Sequence, residues 1–221
     1  MSILFVLLTF LIVISVNYFY FRLPVAPIAQ TDVVVHPRVP VMAKESGFAI
    51  PKDYSFHPGH TWVLKEASDN ARIGMDKFGA DLVGSIDRIE VSQPSRWIRQ
   101  GQRLATIHSG DITFDLLSPV EGVVMAINND VVNNPSLATS DPYKDGWLAV
   151  LKSPDLPTNE KNLLHGSMVA PWIHYGVTRL KEVLANANPA LAQDGGLPLN
   201  QVMQRVETPL RHKLIKEFFL N

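Results

Sequence analysis

The chain has 221 residues, 46% of them apolar, which is enough to build one ordinary domain or two small ones. Lys and Arg (20) nearly balance Asp and Glu (21), and the formal net charge of -1 lacks the broad basic field of a nucleic-acid binder. There is no cysteine, which excludes disulfides, thiolate nucleophiles, Cys-held iron–sulfur clusters and Cys-based zinc sites.

The run Ile3 to Tyr20 carries no charged residue. As a helix it would extend roughly 27 Å, close to the thickness of a bilayer core. Residues 1–22 are therefore expected to form a transmembrane helix, with Tyr18, Phe19 and Tyr20 as an interfacial belt and Arg22 snorkelling beyond it. A cleaved signal peptide is the rival reading, but no basic residue precedes the run and Ala26 to Ala29 is a poor cleavage site. Arg22, Arg38, Lys44 and Lys52 follow the span, so the expected topology is single-pass in an inner or cytoplasmic membrane with the rest of the chain in the cytoplasm. Residues 23–53 are expected as an extended linker, since 22–53 hold five prolines and no sustained period.

Residues 54–153 change character. Short β-rich runs such as His60-Thr-Trp-Val-Leu, Ala71-Arg-Ile-Gly-Met, Ile86-Asp-Arg-Ile-Glu-Val, Arg103-Leu-Ala-Thr-Ile and Gly122-Val-Val-Met-Ala-Ile are separated by turn residues, the pattern of a small β sandwich or barrel. Asp76 followed by Phe78, Leu82 and Val83 predicts one short capped helix among them. Residues 154–221 read as a helical extension. Met168, Val169, Trp172, Ile173, Val177, Leu180, Val183 and Leu184 share one helical stripe, a loop is expected at Gly195-Gly196, and Thr208-Pro209 predicts a capped helix start.

Several phrases in the β-rich segment fall in a familiar order. They are His60-Thr61-Trp62-Val63, Ile73-Gly74-Met75, Gly84, Gly101, Ser118-Pro119-Val120-Glu121-Gly122, Asn134-Pro135-Ser136-Leu137 and Asp141-Pro142-Tyr143-Lys144-Asp145-Gly146-Trp147-Leu148, in which Trp147 is the large apolar residue expected to close a small core. Over roughly Tyr54 to Lys152 the chain resembles the glycine cleavage H proteins. The resemblance implies a mainly-β, hammerhead-like sandwich or barrel of the lipoyl type, in which a tight hairpin presents a lysine for lipoylation. Counted back from Ser118-Pro119-Val120, that position falls on Asp111, and no lysine lies between Arg103 and Leu117. A carboxylate cannot form the amide, so neither carrier chemistry nor a cofactor is expected, and a lipoyl position at Asp111 would be degenerate.

His57 and His60 could offer imidazoles to a metal, but Pro58-Gly59 between them prevents the one-turn helical spacing that pairs such ligands, and no metal is expected. His108, Ser109 and Asp111 supply the residue types of a hydrolytic triad, yet neighbours in one tight hairpin cannot converge in the order nucleophile, base, orienter. No catalytic residue is assigned and the chain is not expected to be an enzyme. Trp172, Tyr175, Arg211, Lys213, Lys216, Phe218 and Phe219 are candidate contacts to a partner or to lipid, because basic and aromatic residues on helices suit such surfaces. The expected function is that of a membrane-anchored accessory or scaffold subunit in a larger complex of the respiratory or photosynthetic kind. Its partners would be integral membrane subunits, the bilayer through residues 3–20, and no nucleic acid. The alternative is a residual partner-binding role in lipoate or glycine-cleavage-type one-carbon metabolism.

Overall fold

The computed structural model describes residues 40–67, 69–187 and 201–220, together with Leu11 and Ile14, which are helical. The chain divides into two units, Met1–Val33 and Val34–Asn221. Among the described residues no helix is long and apolar enough to cross a membrane. The span expected over residues 3–20 and the loop expected at Gly195-Gly196 lie outside the described residues, apart from Leu11 and Ile14.

The second unit is mainly β. Strands β1 (Met42–Glu45) and β2 (Phe48–Pro51) form a hairpin of their own. A six-stranded antiparallel sheet takes the order β3 (Ser55–His57), β4 (Thr61–Lys65), β5 (Asn70–Met75), β11 (Trp147–Lys152), β10 (Gly122–Ile127) and β7 (Trp97–Ile98). The third sheet is β6 (Arg88–Val91), β8 (Arg103–Ser109) and β9 (Ile112–Leu117). Short helices α1 (Lys77–Val83), α2 (Asn129–Asn133), α3 (Leu137–Ser140) and α4 (Leu156–Glu160) fill the connections. The chain ends in α5 (Val169–Ala187), α6 (Val202–Arg205) and α7 (Thr208–Phe218).

The phrases that carry the resemblance are packing instructions. The Trp62 indole is fully buried, and a Cβ at Gly74, on the neighbouring strand, would sit 2.6 Å from its ring. Its N–H donates to Pro142 O (3.0 Å), while Tyr54 and Tyr143 pack around it at 4.9 and 6.2 Å between centroids. Thus the Thr61-Trp62, Ile73-Gly74 and Asp141-Pro142-Tyr143 segments, distant in sequence, complete one aromatic cluster. Gly146 has a similar role, since a Cβ there would lie 2.5 Å from Leu137 O, and the Asn128 side chain tethers the same turn through Asp145 O and Trp147 O (2.8 Å each).

Asp76 caps α1 as expected, its Oδ1 accepting from Gly79 N at 2.7 Å. Its Oδ2 is held 2.8 Å from His60 Nδ1, and both residues are buried.

Three expectations need correction. The last part of the presumed linker is the β1–β2 hairpin, because Phe48 and Ile50 join the core and the Phe48 ring packs, tilted, 5.4 Å from that of Phe78. Trp147, read in the sequence as the residue closing the core, is only partly buried, and Trp62 holds that position. Helix α7 is capped by Glu207, with no side-chain capping bond, and the Thr208 hydroxyl is used elsewhere.

Candidate functional site at the clamped hairpin

The β8–β9 hairpin turns through Gly110, whose φ of 60° lies in the left-handed region open to glycine, and Asp111. The polar side chains at the tip and the Gly110 amide have partners. Ser109 Oγ donates to Ser85 O (2.6 Å) and Gly110 N donates to Asp87 Oδ2 (2.6 Å). Asp111, about half exposed, accepts from Thr208 Oγ1 through Oδ2 and from Arg211 Nη1 through Oδ1, both at 2.6 Å. Arg211 is itself oriented by donation from Nε to Val206 O (2.8 Å), and Gln204 Nε2 donates to Val83 O (3.1 Å) and Ser109 Oγ (3.2 Å). The tip is therefore tied by five side-chain or backbone donors, three of them from residues 204–211.

Apolar burial supports the clamp. Phe219 is 0% exposed and lies 4.5 Å from Phe114 of β9. Phe218 packs on Phe78 at 5.4 Å, and the His60 ring is stacked between Phe78 (4.6 Å) and Trp172 (4.9 Å). Arg179 of α5 holds Glu217 of α7 at 2.7 Å.

The candidate contact residues thus separate. Phe218 and Phe219 are buried against the domain's own core, and Trp172 is packed against Phe56 and His60, so these three are structural rather than free for a partner. Arg211 is engaged with Asp111, whereas Tyr175 (65% exposed), Lys213 and Lys216 remain at the surface. Helical periodicity does not say which stripe meets the core when two apolar faces compete, so the sequence alone groups all seven as candidate contacts.

The triad types do not converge. His108 contacts Arg88, Thr113 and Glu90, Ser109 turns to Ser85, and Asp111 to α7. His57 Nδ1 accepts from Gly59 N (3.0 Å), and burial, with His60 beside it, holds its pKa below the usual value. The clamp residues Gln204 and Thr208 had no signal in the sequence, since an amide and a hydroxyl about a hundred positions from their partner obey no local pattern.

Electrostatics bind the clamp to pH. The Thr208 hydroxyl, with Arg211 beside it, holds the Asp111 carboxyl below the usual carboxylate range, and Arg179 does the same for Glu217. A carboxyl with a folded pKa below its unfolded value contributes stability that is complete above the unfolded pKa and is lost as pH falls through the folded one. Amide exchange across α7, corrected for intrinsic rates, is therefore expected to be unchanged from neutrality down to about pH 5 and to accelerate below about pH 4. Asp111→Asn should remove part of that acid-dependent step.

Two sheets closed around an aromatic core, with a tight hairpin projecting to Asp111, define a mainly-β domain of the lipoyl-carrier type. Residues 54–174 match the family model described as glycine cleavage H-protein. The chain belongs to the glycine cleavage H-protein family. It is 32% identical over 125 residues to the glycine cleavage system H protein of Magnetococcus marinus, covering 57% of this chain and 88% of that one. It is 34% identical over 112 residues to that of Legionella pneumophila, covering 51% and 88%. A solved H protein from Mycobacterium marinum aligns over 48% of this chain and 87% of its own, with 23% identity and a TM-score of 0.44. A glycine cleavage H protein is a lipoyl carrier and not itself a catalyst, consistent with a chain that is not an enzyme.

Proposed function

We propose that this chain is a non-lipoylated H-protein-type recognition module, which binds partners of the glycine-cleavage or lipoate-handling type without a swinging arm. This is the partner-binding alternative that the sequence sets beside a membrane-anchored accessory or scaffold subunit. The observation that carries it is Asp111: the residue at the family's modification position by resemblance is a carboxylate, and Thr208 and Arg211 hold it from the chain's own last helix. An acceptor lysine must be a free, reachable amine, whereas a carboxylate tied by two short charge-assisted or hydroxyl bonds serves closure of the domain. The test is a binding titration against the other purified proteins of a glycine cleavage system. Binding is expected, and Asp111→Ala is expected to change affinity by less than about threefold, because one exposed side chain contributes little to a broad interface. No binding to any of them, or loss of binding with Asp111→Ala alone, would oppose the proposal.

A second reading has its own support, the uncharged run Ile3 to Tyr20. If it spans a bilayer, the module is tethered to an inner or cytoplasmic membrane and serves there as an accessory subunit beside integral membrane partners. Retention in membranes after carbonate washing is the expected result, and quantitative release would remove the anchor from the account.

A further inference from the structure

Among the described residues the six-stranded sheet ends at β7, where the chain places Arg96, Trp97 and Arg99. Arg103, the first residue of β8 in the three-stranded sheet, lines a shared concavity with Arg96, and all four are exposed, Trp97 at 47%. For a chain of net charge -1 this is a local concentration of guanidinium groups. None of the three arginines has an ion-pair partner among the described residues, whereas Arg72, Arg88, Arg179 and Arg211 are each matched to a carboxylate.

Their backbone is held in place. Ser95, at φ 70°, turns the chain immediately before Arg96, and its N–H donates to Val124 O (2.8 Å). Arg99 opens a turn closed by Gln102, whose side chain accepts from Arg99 N at 2.9 Å and whose N–H donates to Arg99 O at 3.0 Å. Arg96 and Arg103 line a concavity of about 180 Å³ with Ser92, Gln93, Thr106 and Glu90. Glu90 is the carboxylate there, and it is already engaged by Arg88 and His108.

The edge adds a second feature. Ile98 is paired with Gly122 and Trp97 with Val123, while Val124 N donates to Arg96 O (2.9 Å). In an antiparallel ladder bonded and non-bonded pairs alternate, so the Trp97 N–H and C=O point away from β10, to the side where the sheet has no further strand among the described residues. Backbone groups turned outward from β10, an exposed indole and three guanidiniums without an ion-pair partner among the described residues together suit an extended polypeptide with carboxylates and an apolar side chain. A lipid surface would use the charges and the indole but would leave the directional backbone groups without partners.

We propose that the β7 edge, with Arg96, Trp97, Arg99 and Arg103, is the docking site for an extended acidic segment of a partner protein. The proposal deepens the partner-binding reading and rests on it, but its test requires no glycine-cleavage protein, so the two fail separately. The full chain in neutral detergent is titrated against a dye-labelled peptide of alternating glutamate and valine, followed by anisotropy near physiological salt. Binding is expected to weaken at least about tenfold in Arg96→Gln/Arg103→Gln and severalfold in Trp97→Ser, with thermal midpoints unchanged because all three residues are exposed. Arg205→Gln, an exposed arginine on α6, should bind as the parent does. Equal binding of a glutamine–valine peptide, an equal loss in Arg205→Gln, or no peptide binding would overturn the proposal. So would arginine-dependent capture of phosphatidylglycerol vesicles with no peptide binding, which would make this edge a lipid-facing surface.

Discussion

Replacing Trp62 by alanine is expected to destabilise the β domain by about 3–5 kcal/mol and to lower the thermal midpoint by about 6–20 °C. The indole is fully buried, so its loss forfeits transfer free energy and leaves a cavity that the two sheets cannot collapse to fill. It also leaves Pro142 O without the donor it has at 3.0 Å. Trp147→Ala should cost clearly less, because that ring is only partly buried on β11. Equilibrium denaturation of both variants tests the order, and equal losses would show that the aromatic cluster of Tyr54, Trp62 and Tyr143 is not the centre of the core.

Phe219→Ala is expected to cost about 3–5 kcal/mol as well, but in a different place. Phe219 is 0% exposed, sits 4.5 Å from Phe114 and faces the His60 ring, so it joins the end of α7 to β9 and the buried His60–Asp76 pair. A Cβ at Gly79 would stand only 3.3 Å from its ring, a measure of how closely α1 receives it. Because α7 reaches the hairpin through Thr208 and Arg211, loosening its far end should release the tip. Amide exchange of Gly110 and Asp111 should rise together with that of α7, while β4 and β5 stay protected. Uniform loss of protection would mean that α7 folds as one unit with both sheets.

Much of the β domain was legible beforehand because its signals are local. The strands at Ala71–Met75 and Gly122–Ile127 follow from β-rich runs between turn residues, and Asp76 announces α1 by being a short acceptor in front of an apolar helix. The β1–β2 hairpin was not legible, since Phe48 and Ile50 alternate over too few residues to stand out among prolines, and their burial depends on Phe78 of α1. The last helix was recognised, but not its destination. Phe218 and Phe219 beside Lys213 and Lys216 read equally well as a surface for docking or as a seal on the core, and only tertiary structure chooses between them. Asp111 was singled out for what it is not, a lysine. Its positive role, accepting from Thr208 and Arg211, depends on two residues about a hundred positions away and could not be seen in the hairpin itself.

The proposed lack of an arm is tested most directly by intact mass. The full chain is co-expressed with a lipoate ligase and supplied with lipoate, beside a lysine-bearing H protein as a positive control. The account predicts the unmodified mass for this chain under conditions that modify the control fully, because the Arg103 to Leu117 hairpin offers no amine. A mass increased by one lipoyl group would contradict it, and peptide mapping would then identify which lysine elsewhere in the chain carries the arm.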